Sequence, residues 1–215
     1  MSSIAIIDYG MGNLHSIAKA IEHVAGRERV IVSSEPAAIL AADRIVFPGV
    51  GAIRDCISEL QRTGLDAVIR QAADSRPLLG VCLGLQALLD VSEENDGTAC
   101  LGLIPGSVVR FRSESLDAAT GQRLKIPHMG WNQVLQVRRH PLWQDIPADS
   151  RFYFVHSYYA VPANPAHIAG TTPYGREFAS VLACDNVFAV QFHPEKSQHA
   201  GLQLLANFVA WNGES

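Results

Sequence analysis

The sequence has 215 residues, 48% hydrophobic and 18% charged, a balance that supports one sizeable core and excludes a disordered chain. Its formal net charge of −4 supplies no basic face for nucleic acid, and no apolar run is long enough for a membrane-spanning helix. Four scattered cysteines, Cys56, Cys82, Cys100 and Cys184, form no CxxC pair; this argues against a disulfide framework or zinc site and suits the reduced thiols of a cytoplasmic protein.

In chain order, residues 4–7 read as a buried strand ending at Asp8, and the N-terminus resembles a strand more than a signal peptide. Asn13 is an expected helix cap, with Leu14, Ile17, Ala18, Ile21 and Val24 forming the apolar stripe and Gly26 the stop. Residues 30–32 and 45–47 are the next strands, the latter closed by Pro48-Gly49. One or two amphipathic helices fill 52–75, broken near Gly64, before a buried strand at 77–81. Strands alternating with helices predict a mostly parallel sheet covered on both faces.

The second half reads as closely spaced strands at 108–111, 134–137, 152–159, 168–172, 178–182 and 187–192. Asp185-Asn186 suits a hairpin turn between the last two. Residues 113–122 are polar and read as a surface loop, and 201–211 as a closing helix with Leu202, Leu205, Phe208 and Val209 on one face. The expectation is therefore α/β: an open, mostly parallel sheet flanked by helices, with additional antiparallel strands in the C-terminal half, in one domain over 1–215. There is no internal repeat.

Gly80-Val81-Cys82-Leu83-Gly84 follows an apolar strand and has the spacing of a nucleophile elbow, where a strand turns abruptly into a helix. A thiol at the start of a helix at 83–89 is favoured as thiolate by the exposed N–H groups, and the Leu83 N–H is a ready oxyanion donor. Such a thiol needs a base, and the base needs an orienting group. The strand 187–192 runs into His193-Pro194-Glu195, where a spacing of two sets His193 and Glu195 on one side and Pro194 discourages helix. Phe47-Pro48-Gly49-Val50-Gly51 follows another strand, with glycines that let backbone amides turn toward a ligand. Gly10-x-Gly12 invites a dinucleotide reading, but His15 stands where the third glycine belongs.

With these residues in view, the whole chain resembles the class I, or triad, glutamine amidotransferases. GVCLGLQ matches their nucleophile signature and QFHPEKS their His/Glu signature. The segments YGMGNL, PGVG, PHMGWN and FVHSY are similar to the glutaminase subunits of imidazole glycerol phosphate synthase in histidine biosynthesis. The resemblance implies Cys82 as nucleophile, His193 as base and then acid, and Glu195 as its orienter. It implies an oxyanion hole of Leu83 and Val50, the latter after a peptide rearrangement, and a glutamine pocket of Gly49, Gly51, Gln86, Ser157 and Tyr158. It implies no metal and no cofactor. The implied partner is a (β/α)8-barrel cyclase in a 1:1 heterodimer, fed with ammonia through the barrel and touching Tyr9, Asn13, Trp131, Tyr153 and Lys196. Rival readings are an amidotransferase subunit for pyridoxal phosphate or anthranilate synthesis, and a non-catalytic regulatory scaffold.

Overall fold

The computed structural model describes residues 2–112, 121 and 123–214, so the expected surface loop at 113–122 lies, Gly121 apart, outside the described residues. The first half comprises β1 (Ser3–Ile7), α1 (Leu14–Val24), β2 (Arg29–Ser33), α2 (Pro36–Leu40), β3 (Arg44–Gly49), α3 (Ile53–Thr63), α4 (Leu65–Ala73), β4 (Leu78–Cys82) and α5 (Leu83–Ala87). The second comprises β5 (Val91–Ser92), β6 (Thr98–Ala99), β7 (Gly106–Arg110), β8 (His128–Gln133), β9 (Leu135–Gln136), β10 (Arg151–His156), β11 (Tyr158–Pro162), β12 (Ile168–Pro173), β13 (Glu177–Cys184), β14 (Val187–Val190) and α6 (Gln198–Ala210).

The main sheet runs β2-β1-β3-β4-β14-β13-β11-β7-β5-β6, with β12 and β9 added through β13, while β8 and β10 form a separate pair. From β2 to β14 every pairing is parallel; β13, β11 and β7 continue antiparallel. Alternation along β1 sends Ala5 and Ile7 to one face and Ile4 and Ile6 to the other, all fully buried. Ile39, Ile57, Leu60 and Ile69 of α2, α3 and α4 cover the first face; Ile17, Ile21, Leu204 and Phe208 of α1 and α6 cover the second. Three layers result, with the parallel strands buried on both sides. Among the described residues no helix is long and apolar enough to cross a membrane.

Gly64, at φ 72°, separates α3 from α4 as expected, and Asp185, at φ 49°, turns β13 into β14. Other expectations need correction. Asn13 precedes α1 without capping it: its ψ of 61° takes it out of the extended conformation from which a cap side chain reaches the first turn. The strand expected at 152–159 is two strands broken at Ser157. β10 pairs with β8, whereas β11 pairs with β7 and β13, so the chain changes sheets inside a continuous run of strand-forming residues. The strand expected at 134–137 shrinks to the two-residue β9, and the preceding β8 carries His128 to Asn132 of the PHMGWN segment.

The last helix starts before 201. Pro194 does not bar helix but opens a single 3-10 turn over Pro194–Lys196, because proline lacks only an N–H that a first turn leaves unused. That turn leads into α6, whose buried residues are Gly201, Leu204, Leu205 and Phe208 rather than Leu202 and Val209. A Cβ on Gly201 would drive into the carbonyl oxygen of Pro194 and meet Ser197 Cβ at 2.8 Å. Gly201→Ala should therefore destabilise the protein by about 1–3 kcal/mol despite the helix preference of alanine, measured by urea unfolding. A more stable variant would count against this packing.

Candidate active site

Three segments meet at the carboxyl end of β4, the region where parallel α/β sheets gather their ligands. Gly49 of β3 pairs with Cys82, and Val190 of β14 pairs with Val81, so the residues after β14 pass beside the bend. Cys82 stands at φ 56°, ψ −108°, and α5 begins at the next residue. Holding an L-residue there costs on the order of 1–3 kcal/mol, a strain that surrounding packing must impose. The two flanking glycines are what let that packing close. A Cβ on Gly84 would drive into the Phe47 carbonyl oxygen, and one on Gly80 would lie 3.1 Å from both Ala189 and Leu88. The glycine-x-cysteine-x-glycine pattern thus has a steric cause.

His193 and Glu195 come together through the 3-10 turn rather than along an extended strand. Imidazole Nδ1 lies 2.9 Å from Glu195 Oε1, and both side chains are almost wholly buried. The backbone anchors the turn: His193 N–H donates to the Tyr153 carbonyl at 2.9 Å, and Ser197 Oγ donates to the His193 carbonyl at 2.6 Å. Among the described residues His193 Nε2 has no hydrogen-bond partner, yet the Cys82 sulfur is near enough to act on it. Burial pulls the imidazole pKa down. The Cys82 sulfur and the Glu195 carboxylate more than offset it, raising the pKa to about 10.

Cys82 and His193 border a cavity of about 320 Å³, also lined by Val50, Gly51, Leu83, Gln86, Glu94, Pro127, Val155, His156, Ser157 and Tyr158. That is the small end of ligand pockets, suited to a molecule of amino-acid size. A second void of about 10 Å³, the size of one water, lies across Val50 and touches Asn13, His193 and Glu195. Among the described residues no group of His, Cys, Asp or Glu could hold a metal ion.

Most residues singled out from the sequence gather here, with two corrections. Gly49 does not line the cavity: it is packed beneath the elbow, where a Cβ would lie 2.6 Å from the Tyr9 hydroxyl and 2.9 Å from Leu83 Cβ. Tyr9 belongs to no outer surface; it is 1% exposed and packs edge-on against Phe47. Burial, then the neighbouring Cys56, drive its pKa up and keep the phenol neutral. Asn13 is exposed, and Trp131, 39% exposed, meets Tyr153 edge-on at 6.2 Å, with Lys196 Nζ 5.9 Å above the Tyr153 ring. Trp131, Tyr153 and Lys196 form one cluster.

Sequence reasoning missed Glu94 and Gln191. Glu94 sits in an acidic run with no motif around it, but its carboxylate accepts from the Ile53 N–H at 3.1 Å and borders the cavity. Gln191 is hidden in the apolar approach to His193, and no local signal distinguishes it.

The family model for class-I glutamine amidotransferases matches residues 5–211. The chain belongs to that family. Solved structures also share its fold. One described as a glutamine amidotransferase superposes with a TM-score of 0.70 at 14% identity, over 96% of this chain and 99% of that one. The PurLQS structure from Thermotoga maritima gives a TM-score of 0.71 at 15% identity, over 97% and 98%. Within this amidotransferase family the curated relatives are more specific. Imidazole glycerol phosphate synthase subunit HisH of Nitrosococcus oceani is 62% identical over 215 residues, covering all of both chains. Subunit HisH 1 of Pseudomonas aeruginosa is 61% identical over 213 residues, 99% of each. At that identity and coverage the chain is a member of the HisH family of glutamine amidotransferases.

Proposed function

We propose that the chain is the glutaminase subunit of imidazole glycerol phosphate synthase, acting as one domain that releases ammonia from L-glutamine for a (β/α)8-barrel cyclase. The observation that carries this reading is the strained Cys82 and His193 on one amino-acid-sized cavity, with Glu195 2.9 Å from the far imidazole nitrogen.

In this reading Cys82 Sγ attacks the side-chain amide carbon of glutamine, and its proton passes to His193 Nε2. Glu195 holds Nδ1, fixing which ring nitrogen faces the sulfur. The oxyanion is held by the Leu83 N–H, with the Val50 N–H joining after the Pro48–Gly51 peptides rearrange. His193 returns the proton to the leaving nitrogen, ammonia departs, and a thioester remains. Water, deprotonated by His193, then releases glutamate and restores the thiol. A raised His193 pKa favours imidazolium beside the sulfur. Gly51, Gln86, Ser157 and Tyr158 border the substrate. Glu94, the one carboxylate on the cavity among the described residues, matches an α-ammonium group.

Ammonia in neutral water is mostly ammonium and has no lone pair for attack, so it must pass to the next site in an enclosed path. A 1:1 partner docked over Asn13, Trp131, Tyr153 and Lys196 would enclose it, with Trp131 the aromatic anchor. Four unpaired cysteines fit a cytoplasmic setting.

The test is glutamine hydrolysis by the chain alone and with a barrel cyclase loaded with its nucleotide ligand. Turnover alone should be slow and rise at least about tenfold in the complex, a coupling of ordinary size. Equal turnover with and without the partner would overturn the reading.

A further inference from the structure

Gln191 is fully buried two residues before His193, and the chemistry above gives it nothing to do. Its Nε2 lies 3.8 Å from Cys82 Sγ, within N–H···S range, and its Oε1 accepts from Gln86 Nε2 at 3.0 Å. Gln86 Nε2 also donates to the Tyr158 carbonyl at 3.1 Å. A backbone carbonyl can only accept, so this last bond dictates which end of the Gln86 amide faces Tyr158. With both Gln86 protons used, Gln191 must turn its oxygen toward Gln86 and its NH2 toward the sulfur.

The same carbonyl orders a second arm. His156 Nδ1 lies 2.7 Å from the Tyr158 oxygen and must therefore carry the proton. His156 Nε2 is then an acceptor for His128 Nδ1 at 2.9 Å, and His128 Nε2 accepts from Asn132 of β8 at 3.2 Å. Both histidines must be neutral for this direction to hold, and burial lowers their pKa values, His128 to about 4 and His156 to about 3. Two buried arms thus converge on one carbonyl, and one of them ends on the nucleophile.

We propose that Gln191 is a positioning residue for the reaction at Cys82: the Tyr158 carbonyl, acting through Gln86, holds the Gln191 N–H on the sulfur, where it steadies the thiolate. The inference rests on Cys82 being the nucleophile. A buried amide that merely filled space would not need its NH2 end turned to sulfur.

The test uses the full chain and iodoacetamide, with Cys82 labelling followed by peptide mass against pH. Gln191→Met keeps the length and removes the donor. Gln191→Glu keeps an acceptor for Gln86 but faces the sulfur with a carboxyl. A hydrogen bond to an ionised group is worth a tenfold or larger change in ionisation, so the pH of half-maximal labelling should rise about one unit in Gln191→Met and further in Gln191→Glu. In the complex, kcat should fall about tenfold with KM within about twofold, because Gln191 does not border the cavity. An unchanged labelling profile in Gln191→Met, or a loss confined to KM, would overturn the proposal. Should both variants fail to fold, the unsubstituted chain labelled with 15N-glutamine still decides: the Gln191 side-chain amide must titrate with the Cys82 thiol, and a flat response overturns it. Shifted labelling in a complex with no glutaminase activity would sink the functional reading and leave only the Gln191 contact with the Cys82 sulfur standing. Unshifted labelling in an active complex would do the reverse.

Discussion

Cys82→Ser in the assembled synthase should abolish glutamine-dependent synthesis while sparing synthesis driven by added ammonium salt. A serine hydroxyl is far less acidic than a thiol, and the elbow was built around a sulfur already paired electrostatically with His193. The expected fall in glutamine-dependent turnover is of the order of 10⁴-fold or more, as when a nucleophile is lost from a coupled relay. The fold should survive, because the conformation at φ 56° is imposed by packing at Gly80 and Gly84 and not by the side chain itself. The two assays are run side by side, with glutamine and with ammonium chloride at a pH high enough to supply free ammonia. Loss of both together would make the thiol a structural element and remove the basis of the mechanism.

Stability should fall steeply in mild acid. His128, His140 and His156 are buried and held below their ordinary pKa near 6.5, to about 4, 4 and 3, with burial the leading cause in each. Above pH 6.5 they are neutral in both states and their contribution is complete. Between pH 6.5 and about 4 the unfolded chain binds protons that the native chain refuses, so the native state loses ground as pH drops. Each histidine supplies a slope of about 1.4 kcal/mol per pH unit, and three supply roughly 4 kcal/mol per unit, comparable to a whole domain's margin within two or three units. His193 has the opposite sign: its pKa is raised, so its contribution is complete below pH 6.5 and lost only as pH climbs toward about 10. It leaves the acid window untouched. Urea unfolding from pH 7 to 4.5 measures the slope. His140 lies among Phe188 and Trp211, away from the cavity, so His140→Phe should remove about a third of it. A flat profile across this range would refute the argument.

The histidines also show where reading residues in order stops. The order of strands and helices in the first half follows from alternation in segments such as Ile4-Ala5-Ile6-Ile7 and from a breaker at Gly64, both properties of adjacent residues. His128 and His156 carry no such signal. They are partners because β8 and β10 pair in a register that sets them opposite, 28 residues apart. The break at Ser157 is invisible for the same reason: Phe152 to Tyr159 favours strand throughout, and only the competing edges of two sheets decide where the chain crosses over. The resemblance sets Tyr9 against a partner, yet α3 and β3 close over it.

For the site, residues 80–84 carry their own instructions, since glycine spacing and an apolar strand prescribe a sharp turn with a cysteine at its tip. The pair His193 and Glu195 is likewise written locally, although the geometry that joins them is a proline-opened turn and not an extended strand. What local sequence leaves open is which distant groups face that cysteine. Setting β4 between β3 and β14 brings residues some 110 positions apart to one sulfur, fits Glu94 to the cavity wall, and aims the Gln191 amide. Backbone conformation is set by neighbours along the chain, whereas the partner of a buried polar group is set by sheet order and register, which emerge only when the whole core closes.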